Sequence, residues 1–111
     1  MEENQKICRI VEEFSLFLLE NSVDVLNIKI KKLDNKVILI FMCDIINKEL
    51  LNELVDVFKF KRQEAIEIYG WELIGQGDLD HELNLVSTLI NYFTYYIYDD
   101  KVYFNLVRYE K

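Results

Sequence analysis

Hydrophobic residues first recur at the spacing of a single helix face: Ile7, Ile10, Val11, Phe14, Phe17 and Leu18 predict a helix over about residues 4–20. The period then changes. Leu26, Ile28 and Ile30 alternate with Asn27, Lys29 and Lys31, the signature of a half-buried strand. Asp34-Asn35 suits a tight turn, because both side chains tolerate turn conformations. The following run, Val37-Ile38-Leu39-Ile40-Phe41-Met42-Cys43, is apolar without alternation, and so predicts a strand covered on both faces, or covered in part by another subunit.

Asn47 is placed to cap a second helix with Leu50, Leu51, Leu54, Val55 and Phe58 on its apolar side. A third helix is expected from about Gln63 to Ile74, with Gly75 as its C-terminal stop. Asp78 or Asp80 can cap a fourth, whose buried stripe would be Leu83, Val86, Leu89, Ile90 and Phe93. Last come Tyr95–Tyr98 and Val102–Arg108 around Asp99-Asp100-Lys101, a hairpin pattern. The order α-β-β-α-α-α-β-β predicts an α+β two-layer sandwich: a mostly antiparallel sheet from two hairpins, with the helices packed on one face. No internal repeat or linker divides the chain, so residues 1–111 are expected to form one domain.

Composition narrows the partners. Apolar residues make up 51% and charged residues 30%, a globular balance. Thirteen basic against 20 acidic residues leave a net charge of −7, which repels a phosphate backbone. Lys59-Phe60-Lys61-Arg62 is the one dense basic cluster, and Lys29, Lys31 and Lys32 read as a solvated strand face. Neither nucleic acid nor a membrane is expected as a partner. The polar, acidic N-terminus and two cysteines point to a cytoplasmic chain without a disulfide framework. Cys8 and Cys43 both sit among apolar neighbours, so both thiols are expected to be buried.

Candidate chemistry is sparse. His81 is the single histidine, a surface or helix-capping residue rather than one half of a nucleophilic pair. No zinc-ligand spacing occurs, and no metal site is expected. All three glycines, Gly70, Gly75 and Gly77, fall in one stretch, and proline is absent, so unusual backbone geometry is confined to that hinge. Six of seven tyrosines lie between Tyr92 and Tyr109. Alternation puts Tyr96 and Tyr98 with Tyr103 and Tyr109 on one face. Such a cluster serves cross-strand pairing, or a contact surface in a sheet-mediated homodimer.

Glu82-Leu83-Asn84-Leu85-Val86, followed by Leu89-Ile90 and a hairpin ending in Phe104-Asn105-Leu106-Val107-Arg108, resembles the Gly-Leu-Gly-Leu helix start and closing strands of the GHKL ATP-binding core. That superfamily includes the anti-sigma-factor serine kinases and histidine-kinase ATPase domains. The resemblance implies an ATPase-like fold over about residues 5–108, with the glycine-containing segment as a lid. Three family motifs depart from the pattern. The Glu and Asn four apart on the first helix become Glu13 with Phe17, or Phe17 with Asn21. Asp-x-Gly-x-Gly becomes Asp44-Ile45-Ile46-Asn47-Lys48, keeping only the Asp. Glu82 and Asn84 stand where two phosphate-facing glycines belong, and Glu82 adds negative charge there.

The expected function is therefore a non-enzymatic interaction or regulatory module on a degenerate ATPase-like fold, needing no cofactor. Tyr96, Tyr98 and Tyr103 are its contact residues, and a second copy or another protein is its partner. The alternative is a nucleotide- or small-ligand-binding protein taking ATP with magnesium. In that reading Asp44 accepts a hydrogen bond from a base, Trp71 covers an apolar ring, and Gly75 and Gly77 close over the polar end.

Overall fold

Among the described residues, every helix lies on the same side of a four-stranded antiparallel sheet with strand order β1-β2-β4-β3. The computed structural model describes residues 2–44, 46–58 and 83–110. Its elements are α1 (Glu3–Glu20), β1 (Leu26–Lys32), β2 (Lys36–Asp44), α2 (Lys48–Phe58), α3 (Asn84–Leu89), β3 (Tyr92–Tyr98) and β4 (Lys101–Tyr109). The chain is thus an α+β sandwich, as the periodicities predict. The expected third helix, Gln63 to Ile74, lies outside the described residues, as do the capping candidates Asp78 and Asp80.

The termini of α1 show why it starts and stops where it does. The Glu2 N–H donates to Gln5 Oε1 at 2.9 Å, satisfying one of the donors a helix start leaves over. At the other end Asn21 Nδ2 donates to the Phe17 carbonyl at 2.8 Å. Ser22 then takes a left-handed φ of 73°, and the Val23 N–H returns to the Leu18 carbonyl at 3.2 Å. This is the closure usually made with glycine. Asn47 caps α2 as expected, accepting the Leu50 N–H on Oδ1 at 2.7 Å.

β2 sits inside the sheet, paired with β1 on one side and β4 on the other. Its residues alternate: Val37, Leu39, Phe41 and Cys43 are buried, while Ile38, Ile40 and Met42 are only half-buried. Among the described residues all helices pack on one side, so they supply the expected cover to one face only. β1 carries a correction. Ile28 and Ile30 pair with Phe41 and Leu39 and so face the helix layer. They are nonetheless 40% and 46% exposed, since among the described residues β1 is a sheet edge and the helices do not extend over it.

The fourth predicted stripe is divided between two elements. Val86 belongs to α3, which ends at Leu89, where Ile90 turns to an extended ψ of 157°. Phe93 is already in β3. Asp99 and Asp100 form the two-residue turn to β4 with φ of 52° and 60°, the left-handed pair that matches hairpin twist. The core is one cluster in which the rings of Phe14, Phe41, Phe58, Phe93 and Phe104 meet.

Candidate functional site

The side of the sheet away from the helices holds the predicted contact residues. Register decides their placement, because directly paired residues share a face. Tyr96 pairs with Tyr103 and Tyr98 with Lys101, while Tyr103 also pairs with Met42 across β4 and β2. The Tyr96 and Tyr103 rings stack with centroids 4.7 Å apart and planes 6° from parallel. Tyr96 remains 50% exposed and Tyr98 69%. Tyr109, opposite Lys36, lies on the same face. The sequence-predicted tyrosines therefore do come together.

What composition did not single out is the apolar floor beside them. Ile38, Ile40 and Met42 of β2 and Val107 of β4 lie half-buried on this face. A shallow hollow of about 200 Å³ is lined by Ile40, Met42 and Tyr103 with Asn27 and Lys29. The signal was present in the unalternating run from Val37 to Cys43, whose second apolar set needs cover that these helices do not supply. Lys29, Lys31 and Lys36 border the floor by register, so a positive rim surrounds an apolar centre on a chain of net charge −7.

Of the residues of the alternative reading, Asp44 alone falls among those described. Trp71, Gly75 and Gly77 lie outside the described residues, together with His81 and Glu82. Asp44 ends β2 and lines a polar cleft of about 180 Å³ with Asn21, Ser22, Val23, Asp24, Ile46 and Asn47. Its carboxylate is ion-paired to Lys101, whose ammonium is held above the ordinary lysine range by that hydrogen bond and then by the charge of Asp44. Asn21 spends its amide on the Phe17 carbonyl and Asn47 its oxygen on the α2 cap. Ile46 enters the cleft where the resembled family needs glycine. The cleft is smaller than the roughly 300 Å³ at which small-ligand pockets begin, and Asn21, Asn47 and Asp44 each commit a polar atom to a neighbour. Among the described residues, no three His, Cys, Asp or Glu side chains are grouped to hold a metal ion.

The cysteines part company. Cys43 is buried, and burial, followed by the neighbouring Asp44 charge, pushes its thiol up to about 11. Cys8 is exposed, against expectation, because it falls on the flank of α1 away from Ile7 and Ile10. Among the described residues no helix is long and apolar enough to cross a membrane.

No protein-family model, no curated protein and no solved structure matches this chain.

Proposed function

We propose that this chain is a non-enzymatic interaction or regulatory module, built on a degenerate ATPase-like fold, whose contact surface is the side of the sheet away from the described helices. The observation that carries the reading is the exposed Tyr96–Tyr103 stack standing beside the half-buried Ile38, Ile40 and Met42. Stiff amphipathic rings around an apolar centre are what protein interfaces concentrate. A second copy of the chain is the first partner to test, joined through the sheet. Sedimentation velocity from low to high micromolar concentration is expected to show reversible self-association. A monomer at every concentration would remove the homodimer.

One observation favours a second reading: Asn21, Asp24, Asp44 and Asn47 converge on one cleft. A nucleotide bound there would stabilise the fold by about 2.7 kcal/mol at a hundred times its Kd, roughly a 10 °C rise in Tm. The interaction reading expects no shift with ATP or ADP at millimolar concentration, with or without magnesium.

A further inference from the structure

We propose that two copies of this chain pack sheet against sheet through the side away from the described helices, about a two-fold axis that runs parallel to the strands. The inference rests on the homodimer reading above and specifies how the copies meet. It starts from an asymmetry within the face. Directly paired residues share a face, so the register lays this one out in rows. One row holds Asn27, Met42, Tyr103 and Tyr96, and another Lys31, Ile38, Val107 and Tyr92. Charge falls on the β1 flank and aromatic rings on the β3 flank, with an apolar strip between. Relief divides the same way. The hollow of about 200 Å³ lies towards β1, beside Asn27, Lys29, Ile40 and Met42. The stacked rings of Tyr96 and Tyr103 stand towards β3, with Tyr96 50% exposed. Ridge and hollow sit on opposite flanks, so the face complements itself only if the flanks are exchanged.

A two-fold parallel to the strands makes that exchange and closes on itself. It lays β1 over the β3 of the other copy and β2 over its β4, so that each row meets the same row. Tyr96 then seats over the hollow, Met42 meets Tyr103 and Ile38 meets Val107. Lys31 meets Tyr92 and Lys36 meets Tyr109, each an ammonium against a ring. Aligned sheets cross at about 30°, so the match is closest along the apolar strip. A two-fold across the strands instead keeps β1 over β1, setting lysines against lysines and ridge against ridge. Among the described strand residues on this side Asp44 is the only acid, and it is paired with Lys101. The chain's net charge of −7 is therefore carried away from the contact. Four strands about 4.8 Å apart and seven residues long span roughly 400 Å². A pair buries on the order of 1,000 Å², the low end for a specific interface. The dimer is accordingly expected to be reversible, with a micromolar Kd.

The test separates the arrangement from the homodimer itself. By sedimentation velocity on the full chain, Tyr96→Ala is expected to raise the dimer Kd about tenfold or more, and Lys31→Gln about two- to fivefold. Lys32→Gln makes the same change of charge on the other face of β1, where Lys32 pairs with buried Val37. It is expected to leave the Kd nearly unchanged. Met1 and Met42 are the two methionines of the chain, so their methyl resonances report on the unaltered protein without any variant having to fold. As concentration rises, the Met42 methyl is expected to move upfield under the rings of the other copy, while that of Met1 stays. If Lys31→Gln tightens the dimer, or weakens it no more than Lys32→Gln, the strand-parallel two-fold is overturned and the homodimer stands. Tyr96→Ala without effect overturns the arrangement in the same way. Self-association with an unmoved Met42 methyl overturns packing through this face. A chain that stays monomeric at every concentration overturns the arrangement and the homodimer together.

Discussion

Arg108 joins three elements through one side chain. Its Nε and Nη2 donate to the Glu3 carboxylate at 3.0 and 2.8 Å, and its Nη1 donates to the Leu89 carbonyl at 2.6 Å. The start of α1 and the end of α3 are thereby fastened to β4. These hydrogen bonds hold Glu3 below the usual glutamate range, against the opposing effect of desolvation, with the charges of Arg108 and Lys6 adding to them. A carboxylate lowered in the folded state stabilises the protein above its unfolded pKa of about 4.3. That contribution is lost as the pH falls through the folded value. Glu3 is 41% exposed, so its share is small, up to about 1 kcal/mol. Glu3→Gln is expected to lower the urea midpoint at pH 7 and to approach wild type as the pH falls through the lowered folded value of Glu3. Arg108→Met, which also strips the Leu89 carbonyl of its donor, is expected to cost about 1–3 kcal/mol at pH 7. The sequence shows an arginine on a strand and a glutamate at a helix start; nothing local says that they meet.

Elements were legible where one period ran long enough. The α1 stripe, the β1 alternation and the Asp99-Asp100 turn all carry their signal in consecutive residues, so local conformation and side-chain direction suffice. Ends were harder. The close of α1 depends on Ser22 in a conformation that usually draws glycine, and no glycine marks the place. Ser22→Gly is expected to raise stability by about 1 kcal/mol, read as a higher urea midpoint with an unchanged m value. The stop of α3 at Leu89 was equally hidden, because Val86, Ile90 and Phe93 are all buried whether the chain continues as helix or turns into a strand. Pairing with β4 settles it: the Asn91 N–H donates to the Val107 carbonyl at 2.8 Å, and the ladder begins.

At the scale of the molecule, five phenylalanines tie the two layers together. Phe14 of α1 lies 4.6 Å from Phe41 and 5.5 Å from Phe104 by ring centroid, and Phe58 of α2 stacks on Phe93 of β3 at 4.5 Å. Phe14 has no exposed surface, and its removal leaves a hole bordered by two strands and a helix. Phe14→Ala is expected to cost about 3–5 kcal/mol, a large fraction of a typical domain's stability. A thermal melt followed by circular dichroism should show a strongly lowered Tm or no folded baseline. The candidate surface belongs to this scale as well. Tyr96, Tyr98 and Tyr103 could be grouped from alternation alone, but Ile38, Ile40 and Met42 join them only because β4 enters the sheet between β2 and β3.

By itself the chain specified an α+β composition, the order of the described helices and hairpins and the face shared by the tyrosines, because each follows from periods of two or 3.6 residues acting along neighbouring positions. Among the described strands, tertiary structure decided which two lie inside and which two at the edges. It also decided which apolar run keeps a half-open face, and that Cys8 faces outward while Cys43 is enclosed. Those outcomes depend on contacts between residues far apart in sequence, and on how far the three described helices can reach across the four described strands, a matter of area and register that no local pattern encodes.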